Sequence, residues 1–224
     1  MNHRLMTGEP VRFDGVALQA VQLAGVTPEP AWLNGPETVR AERFATAELR
    51  RDFIARRTAV RIFAAALFDL DPAGLAPRYS CPEHGTGPEL DHGRPGFAAQ
   101  GEALPISLSS SSRRGWLLLG AAAAPGSRLG VDLEWIASVG FEGFDDLVLS
   151  AAERQDLAAL PAAERLPRRA RIWSRKEAWS KAEGSGLQGR ISGIDSAAAG
   201  IVDIPNQLIG LPEGFVAAQA VQSG

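Results

Sequence analysis

The chain has 224 residues, of which 45% are hydrophobic and 22% are charged, and these proportions indicate a soluble globular protein rather than a disordered or fibrous one. A chain of this length can bury a substantial core, as one large domain or as two closely packed halves. The formal net charge of -3 argues against a general nucleic-acid binder, because phosphate contacts depend on clustered Lys and Arg. We therefore expect no nucleic-acid partner.

The cysteine content and the lengths of the apolar runs indicate the cellular compartment in which we expect the protein. Cys81 is the only cysteine, so no intrachain disulfide can form, and a reducing cytoplasm is the simplest location. The opening residues "MNHRLMTGEPVRFDG" lack the apolar core and the cleavage site of a signal peptide. No run of about 18 apolar residues occurs. We expect a cytoplasmic, monomeric protein with no membrane partner.

The N-terminal half alternates between short apolar runs and one helical pattern. In the first 40 residues, runs such as "VALQAVQL" favour strands and loops. From Glu42 to Phe68, apolar residues such as Phe53 and Val60 recur at helical spacing without Gly or Pro, which predicts one long helix. Residues 69–103 are rich in Pro, Gly and Asp and are expected to form a long irregular connection of the kind that is often functional.

Strand patterns and then helical patterns follow. The runs "LPISLS", "WLLLGAAAA" and "LGVDLEW", joined by polar turns, predict a three-stranded antiparallel meander. The segment "SAAERQDLAALPAAERL" predicts a helix with Ser150 as its N-cap and Glu153 at the capping-box position. A second helix is expected after Pro167, and the tail from Ile191 onward is expected to return to strands.

Asp132 and Glu134 are two residues apart in "LGVDLEW". On a strand they share one face, while Val131, Leu133 and Trp135 point to the other. Neighbouring carboxylates repel each other unless a cation neutralises them, and hard oxygen ligands suit Mg²⁺. The alternative is a strand with an ordinary solvated polar face.

The segment "RIWSRKEAWSKAEGSGL" carries an unusual mixture of aromatic and charged residues. On a helix that ends at Gly184 or Gly186, the spacing i, i+3, i+4, i+7 gathers on one face Trp173, Lys176, Glu177, Ser180, Lys181 and Gly184. Glu177 could complete a metal site with Asp132 and Glu134, and the lysines would meet phosphate oxygens. These residues point to metal-assisted transfer or hydrolysis at a phosphate ester.

Together these segments resemble a known family. "GVDLE" followed some forty residues later by "WSRKEAWSK" is similar to the paired signature of the 4′-phosphopantetheinyl transferase superfamily, in its larger pseudo-dimeric (surfactin-synthetase-activating) type. "HGRP", "ISLSSS", "LSAAERQDL" and "RRDFIARRTAVR" resemble further segments of that type, in the same order. The resemblance covers roughly residues 42–190.

The resemblance implies an α+β fold with two similar halves, each a small antiparallel sheet packed with a long helix. Residues 1–127 would form an N-terminal half that contacts the adenine and 3′-phosphate of coenzyme A. Residues 128–224 would form a C-terminal half that carries the metal and catalytic motifs.

The implied activity is transfer of the phosphopantetheine arm of coenzyme A to a serine of an apo acyl or peptidyl carrier protein, in a fatty acid, polyketide or nonribosomal peptide pathway. Asp132, Glu134 and Glu177 would hold Mg²⁺ against the pyrophosphate. Lys181 would stabilise charge on the phosphate, and Lys176 would support or contact the pantetheine side. Glu177, or else a bound water, would accept the serine proton.

The resemblance also implies contacts to coenzyme A by Arg57, Arg61, Arg94, Pro95, Ser109, Ser110, Lys176 and Lys181. Arg50, Arg57 and Arg61 would form a basic stripe on the long helix, although a solvated face is equally consistent with the pattern. Arg94 replaces the lysine of the family and keeps its charge.

Ser110 departs from the family pattern, which has histidine at this position. A neutral hydroxyl supplies no charge to a phosphate. The alternative hypothesis is therefore a repurposed relative that keeps the fold but binds a carrier protein, or acts on another tethered or free biosynthetic intermediate.

Two further groups of residues are candidates for binding. An arginine-rich segment could attract an acidic carrier protein, although a solvated helix is equally consistent; its members are Arg165, Arg168, Arg169, Arg171 and Arg175. Cys81, His84 and His92 could form a metal cluster, but their spacing fits no zinc pattern and the sequence offers no obvious fourth ligand. The sequence alone therefore argues against a zinc site.

Overall fold

The computed structural model describes residues 8–123, 126–184 and 191–222. The helices are α1 (Gly35–Glu42), α2 (Ala47–Ala66), α3 (Phe144–Val148), α4 (Ala151–Ala159), α5 (Ala162–Glu183) and α6 (Asn206–Ile209). The strands are β1 (Val11–Phe13), β2 (Val16–Gln22), β3 (Leu75–Pro77), β4 (Tyr79–Cys81), β5 (Gly85–Gly87), β6 (Phe97–Ala99), β7 (Glu102–Ala103), β8 (Ser107–Arg113), β9 (Trp116–Ala122), β10 (Arg128–Trp135), β11 (Ile201–Ile204) and β12 (Phe215–Gln222).

Two antiparallel sheets form the centre of the fold. One has the strand order β1-β2-β9-β8 and the other β10-β12-β11. Helix α2 packs on one face of the first sheet, where Phe63 and Leu119 share a core. The opposite face packs on the second sheet through residues such as Leu18 and Val131, and α5 covers the far side of the second sheet. The α+β class with small antiparallel sheets and long helices is therefore confirmed.

The helices of the N-terminal part begin at clear capping residues. Asn34 and Glu37 form a capping box at the start of α1, and Thr46 accepts a hydrogen bond of 3.2 Å from the backbone N–H of Leu49 at the start of α2. The expectation of one long helix between Glu42 and Phe68 is confirmed by α2, which begins five residues later than expected because Thr46 is its N-cap. Helix α1 corrects the expectation of strands and loops alone in the first 40 residues.

Residues 69–103 are more regular than expected. They contain β3 to β7, which form a three-stranded sheet of order β3-β6-β7 and the two-stranded hairpin β4-β5. The expectation of an irregular connection was therefore wrong, because strands of two or three residues are too short to show an alternating pattern.

The predicted meander is confirmed only for its first two strands. β8 and β9 form a hairpin, but β10 leaves that sheet and pairs with β12. The Oγ atoms of Ser107 and Ser109 accept hydrogen bonds from the backbone N–H groups of Leu129 (3.0 Å) and Val131 (2.9 Å). Side chains of β8, rather than its backbone, therefore meet the edge of β10. The change of sheet occurs next to the predicted boundary between residues 127 and 128. That this boundary divides the chain into two domains stays a prediction.

The helices of the C-terminal part agree with the sequence-based prediction at the N-cap of α4 and differ from it at Pro167. Ser150 and Glu153 form the predicted capping box of α4, whereas Pro167 lies inside α5, which begins after Pro161. A proline inside a helix removes one backbone hydrogen bond, and its ring crowds the carbonyl four residues earlier; burial of the later part of α5 compensates for this cost. Gly184 ends α5 with a φ of 81°, and Gly186 lies outside the described residues. No helix in the described ranges is long and apolar enough to cross a membrane.

Gly130 allows α5 to lie very close to β10. A Cβ atom at this position would overlap the backbone carbonyl of Ala178 and would lie 2.7 Å from the backbone nitrogen of Ala182. Both obstructing atoms belong to the helix backbone, so no side-chain rotation could relieve the overlap. Glycine at this position therefore sets the distance between α5 and the strand that carries Asp132 and Glu134.

We predict that Gly130→Ala lowers the free energy of unfolding by about 1–3 kcal/mol, because the added methyl group forces the helix backbone away from the strand. Chemical denaturation measures the effect. Gly193→Ala is the matched control, because the space around that glycine is free within 4 Å. Equal stability of the Gly130→Ala and Gly193→Ala variants would contradict this account of the contact between α5 and β10.

Candidate functional site

Asp132 and Glu134 are buried beneath α5. Their side chains are exposed by only 3% and 6%, while Val131 and Leu133 point into the core between the two sheets. The predicted alternation is therefore confirmed. The alternative of a solvated polar face is wrong, because both carboxylates are shielded from water.

Each buried carboxylate has a cation beside it. Lys181 Nζ lies 2.7 Å from Asp132 Oδ1 and also donates to the Val131 carbonyl at 3.2 Å. Arg113 donates to Glu134 through Nε (2.9 Å) and Nη2 (2.6 Å), and Trp173 Nε1 donates to the same carboxylate at 3.0 Å. The negative charge of the pair is therefore partly neutralised by the protein itself.

Strand β8 contributes two site residues that the sequence analysis missed. Ser111 Oγ donates to Asp132 Oδ1 at 2.9 Å, and Arg113 binds Glu134 from the same face of β8. The alternation of β8 places Ser107, Ser109, Ser111 and Arg113 on one face. This pattern was visible in the sequence, but the approach of β10 to that face was not.

Glu177 is the third carboxylate of the group. It lies one turn before Lys181 on α5 and is half-buried. Burial, followed by the charges of Asp132 and Glu134, raises the pKa of Glu177 to about 7, although Lys181 and Arg113 act in the opposite direction. Burial also raises the pKa of Glu134. Burial is the main cause of both pKa shifts, and repulsion from the neighbouring carboxylates adds to it.

The donor types of the carboxylate group suit a hard divalent cation. Asp132 Oδ2 is buried and has no hydrogen-bond partner among the described residues, so one oxygen of the group is left for another ligand. Carboxylate oxygens are the donors that Mg²⁺ prefers, and a cation would relieve the repulsion that raises the pKa of Glu177. The residues present are therefore compatible with the predicted magnesium site.

Lys176 lies away from this group. It is fully buried, and its Nζ donates to the Val148 carbonyl at 2.8 Å and to Glu153 Oε2 at 2.7 Å. Burial alone would raise the pKa of Glu153, but the hydrogen bonds from Lys176 and Ser196 outweigh it and lower that pKa. The structure therefore places Lys176 in a buried ion pair that joins α4 to α5.

A cavity of about 370 Å³ lies beside Lys181, and we call it the Arg94 cavity. Its lining includes six of the residues expected at coenzyme A: Arg57, Arg94, Pro95, Ser109, Ser110 and Lys181. Arg94 Nη2 donates to the carbonyls of Lys181 (3.0 Å) and Ala182 (2.7 Å). Arg94 thus joins the wall of the cavity to the end of α5.

The predicted basic stripe on α2 does not form. Arg61 is exposed by only 5%, and its guanidinium donates to the backbone carbonyls of Leu75 and Trp32, whereas Arg50 is exposed to solvent. Arg57 contacts the Asp91 carbonyl and Glu37 and also lines the Arg94 cavity. The expectation for Arg61 is corrected because its side chain is used inside the fold.

A second cavity of about 220 Å³ lies on the α2 side of β8. Arg40, Arg56 and Arg57 line it together with Ser110, Ser111 and Ser112, and we call it the triple-arginine cavity. Arg56 Nη1 donates to Ser112 Oγ at 3.1 Å. Burial, followed by the charge of Arg57, lowers the pKa of Arg56. Sequence analysis missed Arg40 and Arg56, because their convergence depends on the packing of α1, α2 and β8.

A groove of about 600 Å³ lies on the other side of the carboxylates. Its lining includes Arg113, Glu134, Phe141, Leu147 and Trp173, and we call it the Phe141 groove. Phe141 and Leu147 are exposed by 52% and 67%. Lys181 lines the Arg94 cavity and Glu134 lines this groove, so the carboxylate group lies between the two.

Most of the arginine-rich segment is used within the fold. Arg169 forms a bidentate ion pair with Asp145 (2.7 and 2.6 Å), and Arg175 forms another with Asp203 (2.7 and 2.8 Å). Arg165 donates to backbone carbonyls at the end of α4. Among the described residues, Arg168 and Arg171 are the members of the segment that make no such contact.

Comparison with known proteins connects this site to one family. Residues 128–210 match the model of the 4′-phosphopantetheinyl transferase superfamily. The matched segment contains Asp132, Glu134, Glu177 and Lys181. It does not include β12, nor the residues before position 128 that line the Arg94 cavity and the triple-arginine cavity. No curated protein sequence matches the chain.

We predict that Glu177→Gln stabilises the metal-free protein at pH 8. The raised pKa of Glu177 means that the folded state holds this proton more tightly than the unfolded chain, whose Glu pKa is about 4.3. Stability is therefore lost as pH rises from about 4 through 7, and Gln avoids that loss.

Melting temperatures at pH 5 and pH 8 measure this effect, with Glu164→Gln at the exposed start of α5 as the control. The gain from Glu177→Gln should be larger at pH 8, and added Mg²⁺ should reduce it. The same gain at both pH values would contradict the raised pKa.

Proposed function

We propose that this protein transfers the 4′-phosphopantetheine arm of coenzyme A to a serine hydroxyl of an apo carrier protein. The observation that carries the proposal is the position of Lys181, whose ammonium binds Asp132 and whose side chain also lines the Arg94 cavity. A phosphate held in that cavity would lie beside both a cation and the carboxylate group. The family match over residues 128–210 supports the same activity.

Asp132, Glu134 and Glu177 would hold Mg²⁺ in the active protein. The ion would supply neutralisation of the negative pyrophosphate oxygens. Asp132 is the best-placed ligand, because its Oδ2 has no hydrogen-bond partner among the described residues. Arg113 and Lys181 would remain beside the site and would balance the remaining charge.

The proposed reaction is an in-line displacement at phosphorus. The serine Oγ forms a bond to the phosphorus that carries the pantetheine arm, and the bond from that phosphorus to the bridging oxygen breaks. Adenosine 3′,5′-bisphosphate leaves with the bridging oxygen. Glu177 would accept the serine proton when it is ionised, and Lys181 would stabilise charge on the phosphate oxygens.

The triple-arginine cavity is the proposed site of the 3′-phosphate. Ser110 lines both this cavity and the Arg94 cavity, so a nucleotide in the Arg94 cavity could extend a phosphate toward Arg40, Arg56 and Arg57. These arginines would supply the charge that Ser110 does not, and arginine binds phosphate through several donors at once. This arrangement weakens the main reason for the alternative hypothesis of a repurposed relative.

The carrier protein is proposed to approach along the Phe141 groove. Glu134 lies in this groove, so a serine delivered there would reach the carboxylate group from the side opposite the Arg94 cavity. Arg168 and Arg171 are available to attract an acidic partner. All the residues proposed for the reaction belong to one chain, so a monomer would be sufficient.

We predict that the protein with Mg²⁺ and coenzyme A adds one phosphopantetheine group to an apo carrier protein, as measured by mass spectrometry. A panel of apo carriers from fatty acid, polyketide and nonribosomal peptide pathways identifies the substrate class. Asp132→Asn and Lys181→Ala should each lower the rate by about 10²–10³, the range for loss of one group that stabilises transition-state charge.

Asp156→Asn, on the exposed surface of α4, is the matched control and should keep the wild-type rate. Circular dichroism verifies that each variant is folded. A wild type that binds coenzyme A but modifies no carrier of the panel would contradict the proposal, as would an Asp132→Asn variant of unchanged rate.

We also predict that Arg56→Gln weakens binding of coenzyme A by about 10- to 100-fold, the loss expected for one charge-assisted hydrogen bond. Dephospho-coenzyme A lacks the 3′-phosphate and should bind this variant as it binds the wild type. Ser110→His should gain little affinity, because the three arginines disfavour a protonated imidazole.

Isothermal titration of both ligands measures these effects, and Arg50→Gln, exposed on the same helix, serves as the control. If Arg56→Gln weakens both ligands equally, the 3′-phosphate does not bind in the triple-arginine cavity.

A further inference from the structure

A cluster of metal-binding side chains lies outside the carboxylate site. Cys81 ends β4, His84 lies in the β4-β5 turn, and His92 precedes the segment that carries Arg94. The donor atoms of the three side chains lie within 4.8 Å of one another. Cys81 Sγ is 3.4 Å from His84 Nδ1, and His92 Nε2 is 3.0 Å from the same nitrogen.

We propose that Cys81, His84 and His92 bind a zinc ion. In tetrahedral coordination, Zn–S bonds of about 2.3 Å and Zn–N bonds of about 2.0 Å place a sulfur and a nitrogen about 3.5 Å apart, and two nitrogens about 3.3 Å apart. The observed separations of 3.4 and 3.0 Å are close to these values. Two of the three donor pairs are therefore spaced as in a zinc tetrahedron, and the third pair lies within 4.8 Å, which leaves the fourth position for water or another donor.

The surroundings of His92 support a metal site. Its other ring nitrogen, Nδ1, lies 2.9 Å from Asp91 Oδ1, so Nε2, which faces His84 Nδ1, is the nitrogen directed toward the cluster. A carboxylate on the second nitrogen is the usual partner of a zinc-bound histidine, because it fixes the tautomer and increases ligand basicity. Asp91 would act in this way as a positioning residue.

The donor set distinguishes this cluster from the carboxylate site. Thiolate and imidazole favour Zn²⁺, whereas carboxylates favour Mg²⁺. A cysteine binds metal as its thiolate, and Cys81 Sγ already contacts His84 Nδ1 at 3.4 Å. The two sites should therefore bind different ions in the same solution.

The segments that carry the cluster also form part of the wall of the Arg94 cavity. Ser80, Pro82, Gly93, Arg94 and Pro95 all line that cavity. The backbones of Ser80 and Arg94 are joined by two hydrogen bonds of 3.0 and 2.8 Å. A zinc ion would add a second connection between these segments, with Cys81 on one side and His92 on the other. The ion would also hold Arg94 in place for coenzyme A, a role that rests on the proposed function of the cavity.

The first test is zinc binding by the whole 224-residue chain, which is independent of coenzyme A. The chain is stripped with a chelator, dialysed into excess Mg²⁺, and titrated with Zn²⁺ against a chromogenic competitor. We expect one zinc per chain with submicromolar affinity. Asp91→Asn should weaken binding by about 10- to 100-fold, and Cys81→Ser and His92→Ala should weaken it further.

Thr86→Ala is the matched control. Thr86 lies in the same hairpin and donates to Ser80 Oγ at 3.0 Å, so this variant perturbs the hairpin without removing a ligand. It should retain zinc binding. No zinc uptake by the wild type in excess Mg²⁺, or equal uptake by Cys81→Ser and His92→Ala, would overturn the proposal.

Cobalt substitution tests the geometry in the wild type, so the result does not depend on how well a variant folds. Co²⁺ should produce a thiolate charge-transfer band and the intense visible bands of tetrahedral coordination. A weak octahedral spectrum without thiolate character would contradict the assigned ligands.

Coenzyme A affinity of the zinc-loaded and stripped proteins, both in Mg²⁺, tests the role of the ion in the cavity wall. We expect several-fold weaker binding without zinc, and equal affinities would overturn that role. A protein that binds zinc but no coenzyme A would refute the proposed function of the cavity and leave the zinc site standing.

Discussion

The architecture of the site depends on the burial of two neighbouring carboxylates beneath a helix. Asp132 and Glu134 lie on the face of β10 that α5 covers, and Gly130 allows the helix backbone to come that close. Burial of an ionised carboxylate is unfavourable unless a cation or hydrogen-bond donors compensate. Lys181 and Arg113 supply part of that compensation, and the buried Asp132 Oδ2 shows that it is incomplete. This residual imbalance is what makes the group suited to a metal ion and an anionic substrate.

Strand β8 connects the carboxylates to the rest of the candidate site. Its alternating residues serve two faces: Ser109 and Ser111 bind β10, while Ser110 and Ser112 line the triple-arginine cavity on the side of α2. The serine run therefore lies in a strand whose short hydroxyl side chains let another element approach on each side. Because these side chains are short, a site can form between two sheets whose strands are not joined to each other by backbone hydrogen bonds.

Local patterns predicted much of this arrangement. The period of two in "LGVDLEW" placed Asp132 and Glu134 on one face, and Ser150 with Glu153 correctly marked the start of α4. The pairings that cross between elements could not be predicted in this way. Lys176 is bound by Glu153 because α4 packs beside α5, and Arg61 is buried because residues 75–77 pass over it. The departure of β10 from the meander, and the contact of His92 with His84, likewise depend on packing between distant segments.

Coenzyme A is proposed to bind with its pyrophosphate at the three carboxylates. Phosphorus NMR of bound coenzyme A with Mn²⁺ in place of Mg²⁺ tests this claim directly, because Mn²⁺ accepts the same oxygen ligands and broadens nearby phosphorus resonances. The account predicts strong broadening of the pyrophosphate resonances, weaker broadening of the 3′-phosphate, and loss of both effects in Asp132→Asn. Equal broadening of all three phosphorus signals, or broadening that survives Asp132→Asn, would contradict it.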